Sequence, residues 1–135
     1  MRVLALDYGS ARCGVAVSDP SGTLATPLAP VLRPGTKKGF ARVVAAVREA
    51  EAARVVVGLP LSLSGRDSAQ TTEARGFAAR LAEAIDVPVE LYDERFTTSL
   101  AVQAGGSASL DSRAAAVLLD GWLARHGDRT VGDDR

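Results

Sequence analysis

Arg54-Val55-Val56-Val57-Gly58 is the stretch that most constrains the fold. A continuous run of β-branched residues, ended by glycine, is the pattern of a strand buried on both faces. Such a strand needs cover above and below, so the chain must build a sheet flanked by helices. The segment before it supplies one cover. From Lys37 to Ala53, Phe40, Val43, Val44 and Val47 recur at helical spacing, with Arg42, Arg48 and Glu49 on other faces.

At the N-terminus, Val3 to Leu6 and Val15 to Val17 are short β-type runs separated by Gly9, Ser10 and Gly14, the residues of a hairpin. Gly22 to Leu32 reads as a third strand, interrupted by Pro27 and Pro30. Proline has no amide donor, so this strand belongs at an edge or is irregular where the prolines fall.

After Gly58-Leu59-Pro60 a polar loop, Leu61 to Ser68, leads into a helix over about Ala69 to Ile85, with Ala74, Phe77, Ala78, Leu81 and Ile85 on one face. Val89 to Tyr92 makes a short strand closed by Asp93-Glu94-Arg95, and Thr97 to Ser99 can cap a short helix ending near Gly105-Gly106. Asp111 is suited to cap a last helix whose buried stripe is Ala115, Leu118, Leu119 and Trp122. Residues 1–126 are expected to form one domain and 127–135 a flexible tail. The order is that of an α/β protein: three antiparallel strands followed by parallel ones, a mixed five-stranded sheet with helices on both faces.

Composition removes several classes of function. Cys13 is the only cysteine and His126 the only histidine, which excludes an internal disulfide and leaves no zinc set. Sixteen basic and sixteen acidic side chains cancel, so nucleic acid is not held by bulk charge, although a local basic surface remains open. No run approaches the ~20 apolar residues that span a bilayer, and no signal-peptide pattern opens the chain, so a cytoplasmic protein without membrane association is expected.

A charge directly after a buried strand is costly unless it is paired or bound to a cation. Asp7 follows the first strand, Glu94 the last strand, and Asp111 opens the final helix; this topology can bring all three to one rim of the sheet, where ligands of open α/β sheets gather. Three carboxylates repel, and a hard divalent ion such as Mg²⁺ or Mn²⁺ relieves that repulsion. Such a site suits phosphodiester hydrolysis, with water activated on one side and the leaving oxygen stabilised on the other. Taken singly, Asp111 also reads as a helix cap, Glu94 as a strand-end charge and Asp7 as a turn residue, and Asp93 rivals Glu94. Arg12 and Arg95 can fork onto phosphates or pair with these same acids. Ser62, Ser64 and Gly65 place hydroxyls and amides before a helix, where phosphate binds, though such loops are often simple turns.

Asp7-Tyr8-Gly9 with Arg12, Gly14, Ala16 and Ser18-Asp19, then Val57-Gly58-Leu59-Pro60, then Asp93-Glu94-Arg95-Phe96-Thr97-Thr98, then Asp111 with Ala114-Ala115, resemble the YqgF/RuvX family. These are RNase H-like proteins regarded as pre-16S rRNA nucleases and earlier described as Holliday-junction-resolvase-like. The resemblance runs from about Arg2 to Leu123. It implies an RNase H-like fold and a Mg²⁺- or Mn²⁺-dependent endonuclease with Asp7, Glu94 and Asp111 as metal-ligating catalytic residues, and with Arg12, Arg95, Ser62, Ser64 and Arg66 on the substrate. The implied substrate is precursor rRNA, at the 5′ end of 16S rRNA in a small-subunit precursor, rather than branched DNA.

Two departures from the family pattern stand out. Its usual Leu-Asn-x-Asp-Gly loop is here Leu61-Ser62-Leu63-Ser64-Gly65, and Gly105 to Leu110 carries no charge where lysine and arginine are common. Resolution of DNA junctions, which needs a homodimer rather than a monomer, and a non-catalytic RNA- or ribosome-binding module of the same fold are the alternatives.

Overall fold

The computed structural model describes residues 1–59, 69–93 and 110–132, with the backbone alone at 93, 110, 111 and 126–132. Five strands and three helices follow in the order β1 (Val3–Asp7), β2 (Arg12–Ser18), β3 (Ala25–Leu32), α1 (Lys37–Glu49), β4 (Arg54–Leu59), α2 (Ala69–Ala84), β5 (Val89–Asp93) and α3 (Leu110–Gly132). The sheet order is β3-β2-β1-β4-β5, antiparallel across β1, β2 and β3 and parallel across β1, β4 and β5. The central strand therefore has one neighbour of each kind.

Strand alternation divides the core in two. Leu4, Leu6, Val55 and Val57 face Val43 and Val47 of α1 and Phe77 and Leu81 of α2. Val3, Ala5 and Val56 face Leu118, Leu119 and Trp122 of α3. Two helices thus cover one face and one covers the other, which is why β4 is apolar at every position from Val55 to Val57.

The prolines of β3 act as their chemistry requires. β3 is an edge strand, and its register with β2 shifts between Cys13 and Val15: Cys13 pairs with Val31, but Val15 pairs with Leu28. Ala29 and Pro30 thus stand opposite Gly14, a bulge in which the missing proline amide removes no needed ladder bond.

Helix boundaries depart from the sequence reading in three places. α1 ends at Glu49, ahead of Ala53, because Glu51 adopts φ 53 and the Ala52 and Glu51 amides donate to Val47 and Arg48 carbonyls. This is a Schellman closure with a glutamate where glycine is usual. α3 begins at Leu110, so Asp111 lies inside its first turn and not at the cap position expected for it, at a place where the helix dipole still favours a carboxylate. α3 also continues to Gly132, since Gly127 weakens a helix without removing a backbone donor. The short helix expected over Thr97 to Gly105 lies outside the described residues.

Candidate active site

Asp7 is the last residue of β1, half-buried, and pairs with Gly14 of β2, which presents no side chain beside the carboxylate. Its backbone is held from both sides. Leu6 before it is fully buried, and Tyr8 after it is 6% exposed. The Tyr8 ring packs on Phe77 of α2 at 4.7 Å between centroids, and Phe40 of α1 meets Phe77 edge-on at 6.0 Å. Burial, reinforced by the negative charge and hydrogen bonding of Glu73, holds the Tyr8 hydroxyl protonated above its ordinary range. Tyr8 therefore anchors the turn as a neutral aromatic.

The turn beyond Tyr8 is close-packed. A Cβ on Gly9 would stand 2.7 Å from the Arg12 carbonyl oxygen, so only glycine fits there. The Arg33 amide donates to the Ala11 carbonyl at 2.9 Å, tying the turn to the end of β3. Arg12 opens β2, exposed, opposite Leu32. Asp7, Arg12 and Arg33 consequently share one rim of the sheet.

That rim also receives the carboxyl ends of β4 and β5. Leu59 pairs with Asp93, and β1, β4 and β5 run parallel, so Asp7 and Asp93 terminate the two strands that flank β4, at the same end of the sheet. Glu94, Arg95, Ser62, Ser64 and Arg66 lie outside the described residues.

The start of α3 is fixed to the same region by Ser112. This side chain is fully buried, and its Oγ accepts from the Val15 N–H at 3.3 Å. Val15 lies at the break in the β2–β3 ladder, next to Gly14, the partner of Asp7. The bond brings the first turn of α3, with Asp111 in it, over the end of the hairpin that carries Asp7. Sequence reasoning overlooked Ser112 and found only its neighbour; a serine in the first turn of a helix was the available signal.

A family model described as "RuvX: Holliday junction resolvase" matches residues 1–125. The chain belongs to the RuvX family. It is 46% identical over 118 residues to the "Putative pre-16S rRNA nuclease" of Clavibacter michiganensis, covering 87% of this chain and 73% of that one. It is 41% identical over 134 residues to the protein of the same name from Anaeromyxobacter dehalogenans, covering 93% and 98%. In fold, this RuvX chain is similar to Thermus thermophilus RuvC bound to a Holliday junction, with TM-score 0.60, 21% identity and coverage of 94% and 96%. Fowlpox virus resolvase with its junction DNA gives TM-score 0.54 at 10% identity, covering 97% and 99%. The expected α/β architecture, with its mixed five-stranded sheet, is thus a RuvC/RNase H-like fold.

Among the described residues, no helix is long and apolar enough to cross a membrane. Cys13 is a buried thiol outside any disulfide, and Trp122, Phe77 and Leu118 are core, in agreement with the structural roles their spacing implies. Trp122 has a polar role besides: its Nε1 donates to Glu90 Oε2.

Proposed function

We propose that this chain is an endonuclease that hydrolyses phosphodiester bonds of structured RNA in 5′-end maturation of 16S rRNA, using Asp7, Glu94 and Asp111. The observation that carries this reading is the Ser112 Oγ bond to the Val15 N–H, which ties the helix turn holding Asp111 to the strand pair holding Asp7. Glu94 directly follows the residue that ends β5, a strand parallel to β1 and delivered to the same rim. The names of relatives about 40% identical over most of the chain support the substrate.

The donor set fits Mg²⁺ or Mn²⁺. Asp7 offers a half-buried carboxylate at a strand end beside a glycine, and hard oxygen donors suit these ions over zinc or copper. Bound there, such an ion supplies charge neutralisation at the phosphate and a lowered pKa for attacking water. The chain's own residues fix the backbone on either side of this site: Leu6 and Tyr8 clamp the Asp7 backbone, and Ser112 clamps the first turn of α3. Arg12, Arg95, Arg66, Ser62 and Ser64 are assigned to the substrate phosphates, Arg12 on its exposed place at the rim.

The test is cleavage of a labelled precursor 16S rRNA fragment and a four-way DNA junction, by wild type and Asp7→Asn, with Mg²⁺, Mn²⁺ or EDTA. RNA cutting that needs the ion and is lost in Asp7→Asn is the expected result. The family model's description and the two resolvase folds make the junction the second substrate to try. Cutting of the junction alone reassigns the chain to DNA, and undiminished RNA cutting by Asp7→Asn overturns the site.

A further inference from the structure

The zero net charge conceals a strong local imbalance. Between Asp19 and Glu49 the only charged residues are Arg33, Lys37, Lys38, Arg42 and Arg48, all cations, and both lysines of the chain are among them. Arg33, Lys37, Lys38 and Arg42 are all exposed. Among the described residues none of these four is within ion-pair distance of a carboxylate. α1 also carries no acidic residue in its first turn.

Three of these cations line one cleft. It is about 620 Å³, bounded by Pro30, Leu32 and Gly39 on its apolar side and by Arg33, Lys38 and Arg42 on its charged side. Its position is set by the fold. Leu32 pairs with Arg12 and the Arg33 amide bonds to Ala11, so the cleft opens on the rim that carries Asp7. A larger cleft of about 660 Å³ lies at the other end of the sheet, against Ser18, Asp19 and Glu49.

Arg33 is held in place by its own backbone. It adopts φ 48, and its carbonyl accepts from the Thr36 amide at 3.1 Å and the Thr36 hydroxyl at 2.7 Å. Charges on a short turn and on one helix, with no carboxylate partner among the described residues, raise a local positive potential that a polyanion neutralises on docking.

We infer that the Arg33/Lys38/Arg42 cleft is an RNA-backbone subsite for substrate flanking the scissile phosphate, reached from the Asp7 rim across Arg12. This rests on the nuclease reading and extends it: the carboxylates cut, and the cleft grips phosphates further along the strand. It also answers the missing charge in Gly105 to Leu110, since backbone affinity here comes from the β3–α1 corner.

The experiment compares Lys38→Gln/Arg42→Gln with Arg48→Gln, whose cation lies in the last turn of α1 and away from the cleft. Binding of the precursor 16S rRNA fragment is measured across salt concentrations in an Asp7→Asn background. Cleavage is followed in parallel on the full fragment and on one trimmed to a few nucleotides around the cut. The double variant should bind the full fragment about 10-fold more weakly, and its slope of log affinity against log salt should flatten by about 0.7–0.9 per lost contact. The trimmed RNA should keep its kcat/KM, and Arg48→Gln should keep the wild-type slope.

An unchanged slope in the double variant overturns the subsite while leaving the nuclease reading intact, provided wild type cuts. An equal loss in Arg48→Gln reduces the effect to bulk charge and overturns it too. Binding of poly-glutamate is measured on the same variants; its loss in the double variant with RNA affinity retained overturns the subsite in favour of an acidic protein partner. Absence of RNA cutting under every metal condition removes the nuclease reading, and the subsite with it.

Discussion

Trp122 of α3 and Glu90 of β5 are joined by a hydrogen bond, Nε1 to Oε2 at 3.0 Å, while the other carboxylate oxygen of Glu90 meets Arg54 at 3.1 Å. One side chain thus ties an edge strand to its neighbour and to the helix covering that face. Glu90→Ala removes the acceptor of a buried indole N–H and should cost about 1–2 kcal/mol. Glu90→Gln, which keeps an acceptor oxygen, should lose less. Urea unfolding reads both as a lowered midpoint with unchanged slope.

Ser112→Ala should do more than destabilise. The Val15 N–H loses its acceptor in a buried position, a cost of about 1–3 kcal/mol. The first turn of α3 also loses its tie to the hairpin. Nuclease kcat should therefore drop by more than the fraction unfolded explains, measured where circular dichroism shows the variant still folded. Equal activity per folded molecule would falsify the positioning role.

Gly39→Ala should be among the most damaging single-methyl additions. A Cβ there would stand 1.9 Å from the Arg33 carbonyl oxygen and 2.7 Å from that of Leu32. Backbone atoms cannot swing aside as a side chain does, so α1 must lift from β3, at a cost of about 1–3 kcal/mol or more. Gly76→Ala, with open space around the new methyl, should be neutral or stabilising in the same thermal melt.

Asp19 sets an acid limit. The Ser21 hydroxyl, then the Leu24 and Thr23 amides, donate to its carboxylate and hold its pKa well below the ordinary value near 3.8. A carboxylate depressed in the folded state contributes stability above the unfolded pKa, and that contribution disappears as pH falls through the folded one. Stability of the wild type should decline below about pH 4, and Asp19→Asn should flatten that part of the profile. Melting temperatures from pH 2 to 7 test this directly.

The sheet and its covers were legible in the sequence because apolar spacing carries them. Val55 to Val57, the Val43/Val47 pair and the Leu118/Leu119/Trp122 stripe all lie where their periodicity places them. Pro27 and Pro30 also announced an edge strand with a break. What sequence left hidden was local and polar. Glu51 closes α1 in a left-handed conformation that composition does not signal, because glutamate rarely takes it. Ser112 and Glu90 owe their importance to partners distant in sequence, which no local pattern encodes. At the site, the Val15–Ser112 bond ties the first turn of α3 to β2, the strand that pairs with Asp7, a link that the element order allows but does not specify.

The Val15–Ser112 bond spans 97 positions of the chain. A contact of that sequence separation forms late, because the intervening loop must be closed before it contributes. During synthesis the β1–β2 hairpin can pair soon after it emerges, but the helix that completes the rim appears only after nearly every other element. Until α3 has emerged, the Val15 amide at the break in the hairpin has no serine to receive it, so the joining of first hairpin and last helix is a tertiary event that the isolated hairpin cannot rehearse.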